Sequence, residues 1–346
     1  MRQHAECNYR TDVDRCSPAN IPASSSKRAT GNLEYPLNGK RVWVAGHHGL
    51  VGSAILRQLA HLDCEMMTAD HGGLDLTRQS ETEAWMADMR PQAVFVAAAR
   101  VGGIHANSSR PAEFLYENLM IEANIIHAAH NVGVEKLLFL GSSCVYPREA
   151  PQPIPESALL SSRLEPTNEW YAIAKIAGIK LCQAYRRQHG DNFISVMPTN
   201  LYGPGDCFHL ENGHVPAALL RRFHEAKLVD APKVVVWGTG KPRREFMYVD
   251  DAAKACIFVM EHYGGEMPVN VGTGKDISIE EFAKLIRDVV NYRGRIVFDT
   301  SRPDGTPRKM MDVSALLKLG WSASTPLELG LQRYYEWFVS NGNLRN

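Results

Sequence analysis

The chain has 346 residues, 45% of them hydrophobic, with 38 basic and 38 acidic side chains and a formal net charge of zero. That length suits one large domain or two smaller ones with a substantial core. The charge balance argues against binding a nucleic-acid backbone, and no apolar run approaches the roughly 18 residues of a membrane span.

Seven cysteines (Cys7, Cys16, Cys64, Cys144, Cys182, Cys207, Cys256) are odd in number and show no C-x-x-C spacing. Neither a disulfide framework nor a metal site is read from them. The N-terminus lacks an apolar signal segment, so a cytoplasmic setting is expected. Residues 1–38 are polar, contain Ser24, Ser25 and Ser26, and have no apolar periodicity, the pattern of a disordered extension. Arg41–Ala45 reads as a buried strand and is followed by Gly46-His47-His48-Gly49-Leu50-Val51-Gly52 and then a helical pattern. Strand, glycine turn and helix together point to a dinucleotide site: glycines let the chain turn tightly and a pyrophosphate approach the helix N-terminus. A second strand near Glu65–Thr68 leads to Asp70 and His71, 18 and 19 residues after Gly52, where an adenosine ribose is read. A carboxylate there accepts from a free 2′-hydroxyl and repels a 2′-phosphate; cationic groups do the reverse. Asp75 either lies near the adenine or caps the next turn.

Gln92–Ala97 is the expected third strand, and a long helix runs from Pro111 to about Asn131 with Asn118 on an otherwise apolar face. The fourth strand, Lys136–Leu140, runs into Gly141-Ser142-Ser143-Cys144. Hydroxyls at the C-terminal end of a parallel strand face the ligand crevice and can donate to an oxygen on which charge develops. Tyr171 and Lys175 are four apart, inside a segment of good helix formers. That spacing sets both on one helical face. A free tyrosine has a pKa of about 10, and a neighbouring ammonium is expected to lower it toward the working range. A fifth strand, Asn192–Met197, ends in Pro198-Thr199-Asn200-Leu201-Tyr202. Later segments form a helix near 278–291, a strand near 295–298 and a helix near 327–338. Arg222, Arg244 and Arg308 are separated in sequence, yet a fold could gather such forked cations around a diphosphate.

The expected fold is α/β: a doubly wound parallel sheet of Rossmann type with a smaller C-terminal α/β substrate lobe. The dinucleotide domain is expected over 39–203 with 245–265 returning to it, and the substrate lobe over 204–244 and 266–340.

Taken together, Gly46-x-x-Gly49-x-x-Gly52, Ser142-Ser143-Cys144, Tyr171-x-x-x-Lys175 and Pro198-Thr199-Asn200-Leu201-Tyr202-Gly203 resemble the extended short-chain dehydrogenase/reductase family, which acts on nucleotide sugars. The resemblance spans roughly residues 40 to 340. It implies an NADP-dependent epimerase and reductase acting on GDP-4-dehydro-6-deoxy-D-mannose, inverting C3 and C5 before reducing C4. It gives Cys144 the role of base and His214 that of acid on the opposite face, with Ser142, Tyr171 and Lys175 serving the C4 carbonyl. It implies dinucleotide contacts from Gly46, His47, His48, Gly49, Leu50, Val51, Gly52, Asp70, His71, Asp75, Leu140, Gly141, Ser142, Ser143, Lys175, Pro198, Thr199, Asn200, Leu201 and His214. Substrate contacts carry over to Arg222, Trp237, Arg244 and Asp304, and the assembly implied is a homodimer. The family's arginines at the adenosine phosphate are matched here by His48 and His71 beside Asp70, so NAD(H) is admitted alongside NADP(H). The alternatives are a nucleotide-sugar 4-epimerase, a dehydratase, or a non-catalytic dinucleotide-binding protein. A 4,6-dehydratase needs an acidic pair where Cys144-Val145 stands.

Overall fold

Short runs of branched and aromatic residues alternate with longer helical stretches over the first half of the chain, and this rhythm produces a parallel sheet with helical crossovers. The computed structural model describes residues 35–209, 213–302 and 304–341. In chain order the first half forms β1 (Arg41–Ala45), α1 (Leu50–Leu59), β2 (Glu65–Met67), α2 (Gln79–Met89), β3 (Ala93–Val96), α3 (Ile104–Ser109), α4 (Pro111–Val132), β4 (Lys136–Leu140), α5 (Glu169–His189) and β5 (Phe193–Pro198). The second half adds β6 (Asn200–Tyr202), α6 (Val215–Leu228), β7 (Lys233–Trp237), β8 (Arg243–Tyr248), α7 (Val249–His262), β9 (Val269–Val271), β10 (Asp276–Ser278), α8 (Ile279–Val290), β11 (Arg295–Asp299), β12 (Arg308–Lys309), α9 (Ser314–Leu319) and α10 (Leu327–Asn341).

Six strands make the main sheet, in the order β2-β1-β3-β4-β5-β9, with every neighbouring pair parallel. β3, β4 and β5 are buried along their whole length, as sheets covered on both faces require. Trp43, Val94 and Phe139 pack with Ile125 of α4 and Ile179 of α5 on one face. Val42, Val44, Phe95 and Leu138 pack with Ile55 of α1 and Ala252 of α7 on the other. Winding reverses between β1 and β3, and the crevice at the carboxyl ends of such strands is where ligands bind. The second lobe joins β10, β8, β12 and β6 in one small sheet and β11 with β7 in another. Its core holds Phe223, Val236, Phe246, Phe282 and Tyr334.

The expected α/β architecture is present, with three local differences. The extension expected to reach residue 38 stops earlier: Leu37 is fully buried against the main sheet's core, and the Tyr35 hydroxyl donates to Glu135 at 2.9 Å. Residues 1–34 of that extension lie outside the described residues. The return to the dinucleotide domain, expected over 245–265, ends at Val271, because β9 pairs with β5 as the sixth strand. At the start of that return, β8 belongs to the small sheet. Finally, α2 gives no apolar stripe to read, since only Thr82 and Met86 are buried along it.

Replacing Leu37 by alanine is expected to cost about 2–4 kcal/mol through lost burial and a residual cavity. A lower urea midpoint at unchanged slope would report that cost, and an unchanged midpoint would remove Leu37 from the core.

Candidate active site

The glycine turn is built by close approach. Gly46 has φ +84°, and a Cβ there would stand 2.5 Å from the Ala98 amide nitrogen. At Gly52 a Cβ would run into the Gly46 carbonyl, so α1 can start this near the turn only with glycine at both places. Gly49 is the N-cap of α1, and the helix has no acidic residue in its first turn. Unpaired N–H groups thus meet the crevice with no negative charge beside them, which fits a dinucleotide pyrophosphate. Leu50 and Val51 form the first turn. His47 and His48 both reach Asp70 at the end of β2: the Nε2–Oδ1 distances are 3.2 and 2.6 Å. Asp75 accepts from the backbone and hydroxyl of Thr77 at 3.0 and 2.7 Å, which makes it a turn former here. His71 bears on Asp75 electrostatically.

Leu140 and Gly141 close β4 in buried positions, and Ser142 begins a single 3-10 turn over 143–145 in which Ser143 is buried. The Ser142 hydroxyl oxygen accepts from the Cys144 N–H at 3.2 Å. Burial pushes the Tyr171 phenol above its ordinary range; Cys144 and Glu122 push the same way, and only a hydrogen bond with Ser142 opposes them. This corrects the expectation that Lys175 lowers that pKa. Lys175 is buried and committed to Glu122 of α4, with Nζ 2.9 Å from Oε1, and it lies 4.5 Å from the Phe139 ring centre. Burial in turn raises the Glu122 carboxyl, with Lys175 pulling it down. Gly178 makes the arrangement fit, since a Cβ there would come 2.7 Å from Glu122 Oε2.

The ammonium beside the crevice thiol is Lys309, whose Nζ lies 3.6 Å from Cys144 Sγ. Lys309 also bears on His214. The imidazole is open to solvent on one side yet crowded by protein on the other, and crowding first, then Lys309, lowers its pKa. His214 occupies the N-cap of α6, just after residues 210–212, which are outside the described set. Lys309 pairs in register with Arg244 across β12 and β8, and Arg244 in turn feels Asp304, Cys144 and Glu165. Both Asp304 oxygens accept from Thr239, from its N–H at 2.6 Å and its hydroxyl at 2.8 Å, so Asp304 shapes the turn after Trp237. The guanidinium groups of Arg222 and Arg302 lie 4.9 and 5.0 Å from the centre of the Trp237 ring, beside an open groove of about 420 Å³ lined by Arg222, Glu225, Lys233 and Trp237.

Among the residues singled out from sequence, Ser142 bonds both Cys144 and Tyr171, while His214 is linked to them through the charge of Lys309. Arg244 joins them through Cys144, and Arg222 stands with Trp237. Arg308 instead pairs with Asp276. Thr199 and Asn200 donate their side chains to the Glu245 carbonyl at 3.3 and 2.8 Å, Pro198 ends β5 in a buried position, and Leu201 packs against the main core. Asn118, a buried polar residue of α4, bonds both backbone groups of Arg100 and so fixes that loop. Sequence reasoning assigned nothing to Lys309, Glu122, Glu165 or Arg302. Glu122 alone carried a local signal, as a charge within an apolar helical face.

Comparison with known proteins identifies the family. Residues 42–272 match the NAD dependent epimerase/dehydratase family. A GDP-L-fucose synthase of Sinorhizobium fredii is 58% identical over 89% of this chain and 98% of its own length. One from Escherichia coli K12 is 55% identical over 88% and 98%. A solved GDP-L-fucose synthetase from Naegleria fowleri bound to NADP superposes with a TM-score of 0.84 at 28% identity, covering 91% of this chain and 99% of its own. The chain belongs to the NAD dependent epimerase/dehydratase family, and within it to the GDP-L-fucose synthases. No helix among the described residues is long and apolar enough to cross a membrane.

Removing the ammonium from the buried pair by Lys175→Met is expected to destabilise the fold by about 3 kcal/mol at neutral pH, because Glu122 is left uncompensated. The folded carboxyl then keeps a proton that the unfolded chain releases above about pH 4.3, so the deficit grows as pH rises from 4 to 8. Urea unfolding across that range checks the sign, and Glu122→Gln/Lys175→Met should recover most of the loss.

Proposed function

We propose that the chain converts GDP-4-dehydro-6-deoxy-D-mannose to GDP-L-fucose, inverting C3 and C5 and then reducing C4 with NADPH. The observation that carries the reading is the Lys309 ammonium, which lies 3.6 Å from the Cys144 sulfur and bears electrostatically on His214. Inverting a carbon needs one group to take a proton and another to return one to the opposite face. Here two such groups share a single cation.

The hydrogens on C3 and C5 are acidic only while the C4 oxygen is stabilised as charge develops on it. Ser142 and Tyr171, side by side at the crevice end, are placed to donate to that oxygen. Cys144, with the Lys309 ammonium 3.6 Å from its sulfur, is the group that removes the α-proton in this reading. Crowding and then Lys309 lower the His214 pKa, so a proton passed to this imidazole is given up readily to the other face. The bound nicotinamide supplies the hydride for C4. Burial keeps Tyr171 a phenol, so it has a proton to pass to the C4 oxygen as the alcohol forms. Arg244, next to Cys144, and Arg222, on Trp237, hold the diphosphate and nucleoside side of the substrate.

In the same reading, the dinucleotide is held by Gly46–Gly52, by the ends of β2, β4 and β5, and by Lys175. The substrate is held by the lobe built on β6–β8, β10–β12, α6, α8 and α10. The working assembly is a homodimer in the cytoplasm. Exposed Tyr116 on α4, with Trp170 and Ile173 on α5, offers apolar surface to a second copy.

The test is turnover of GDP-4-dehydro-6-deoxy-D-mannose in deuterated water. Wild-type protein should place deuterium at C3 and C5 and oxidise one NADPH per GDP-L-fucose formed. Cys144→Ser should abolish deuterium uptake. Tyr171→Phe should slow the exchange, with Ser142 left to stabilise the C4 oxygen, and should lower reduction about 10²–10⁴-fold. Conversion without net NADPH oxidation would point instead to a 4-epimerase or dehydratase.

A further inference from the structure

The adenosine end of the glycine turn carries an unusual charge set. His47 and His48 are consecutive, their ring centres are 3.9 Å apart, and both Nε2 atoms converge on one oxygen, Asp70 Oδ1. One ligand-type atom from each residue lies within 4.8 Å of the others. His47 is mostly covered, with 10% of its side chain exposed, whereas His48 and Asp70 are 71% and 74% exposed. Asp70 is also fixed through its backbone, since its carbonyl accepts from the N–H groups of Gly73 and Leu74, each at 2.9 Å.

This spot follows the second strand of a doubly wound sheet, where the substituent at the adenosine 2′ position is read. A carboxylate favours a 2′-hydroxyl and cations favour a 2′-phosphate. With both imidazoles neutral, the cluster carries the single negative charge of Asp70. One proton brings it to zero and two make it positive. Histidine is the side chain that makes this change near neutrality. Crowding and then His48 lower His47, while Asp70 raises it; Asp70 itself is held low, first by its bond to His48. Among the described residues His47, His48 and Asp70 bear on one another, and His48 makes a further interaction besides. The neighbouring His71 bears on Asp75, and Arg78 stands 3.7 Å from that same carboxylate.

We infer that the His47–His48–Asp70 cluster is a protonation-dependent reader of the 2′ position, favouring NADP(H) when the imidazoles are charged and NAD(H) when they are neutral. The inference rests on the dinucleotide reading of the glycine turn given above. It assigns specificity to three residues acting together, and it makes cofactor choice a property of pH. A permanently charged arginine in place of His48 would remove that dependence.

The experiment is calorimetric titration of the full chain with NADP⁺ and with NAD⁺ from pH 5.5 to 8, in EDTA so that no divalent metal occupies the imidazoles. The preference for NADP⁺ over NAD⁺ is expected to fall about tenfold as pH rises, one lost charge beside the phosphate being worth about that much. The direction is diagnostic. A phosphate monoester gains its second negative charge near pH 6, so a site of fixed positive charge would show the preference rising instead. His48→Arg should abolish the fall, and Asp70→Asn should tighten NADP⁺ and weaken NAD⁺ at every pH. A wild-type preference that stays flat or rises overturns the inference, and this curve decides the matter even if a variant fails to fold. Failure of both dinucleotides to bind would overturn the dinucleotide reading itself and the inference with it.

Discussion

A buried carboxylate ties the crevice to the rest of the molecule. Glu245 on β8 is fully buried and accepts from the backbone N–H groups of Thr273, Gly274 and Met311 at 2.5, 2.7 and 2.8 Å. Its own carbonyl takes the side chains of Thr199 and Asn200. One residue therefore joins the end of β5, the loop between β9 and β10, and the segment that leaves β12. Burial raises this carboxyl, and the amide donors pull it down. Bonds from amides to a charged acceptor contribute about 1.5–3 kcal/mol each, enough together to offset much of the cost of burying the charge. Met311 is two residues past Lys309, so the clamp on Met311 fixes where the Lys309 ammonium can reach. Cys144, at the other side of that contact, is fixed by the 3-10 turn that Ser142 caps.

The two lysines of the crevice divide what a single lysine was expected to do. Lys175 sits one helical turn from Tyr171, but its charge is shared with Glu122 in a buried pair. Glu122 adds to the forces that raise the phenol. A phenol whose pKa is raised stays protonated, so it still holds the proton that the closing step of a ketone reduction consumes. Lys309 arrives from the second lobe and serves the thiol and the imidazole. Cys144 follows β4, His214 caps α6 and Lys309 lies on β12, so both lobes contribute to the proton transfers proposed above.

What could be read from the chain was local. Gly46, Gly49 and Gly52 fall within seven residues between an apolar strand and a helix, so sterics and spacing coincide. The strands around Val94, Leu138 and Val196 are fully buried, and continuous apolar runs announce that. Hydroxyls after Leu140 and a tyrosine and lysine on one helical face are likewise short-range patterns. The contacts that complete the site are long-range. Lys309 and Cys144 are 165 residues apart, and a lysine on a two-residue strand has no periodicity to mark it. Val269–Val271 is three residues long with a buried asparagine in the middle, too short to read as a sheet strand. Glu122 was visible as a charge on an apolar face, but its partner is decided by how α4 packs on α5.

Three carboxylates illustrate how depth, more than residue type, sets the chemistry along the crevice. Asp70 is exposed and beside two imidazoles, so it stays ionised and pushes back against an anion. Glu122 is buried against a single ammonium, and its pKa is driven up, which makes the pair sensitive to loss of either member. Glu245 is as deep, but three amide donors surround it, and its charge serves as a structural knot. A family motif specifies none of these surroundings. A glycine turn and a Tyr-x-x-x-Lys pair can therefore recur unchanged while the cofactor preference and the proton inventory of the site differ from one member to another.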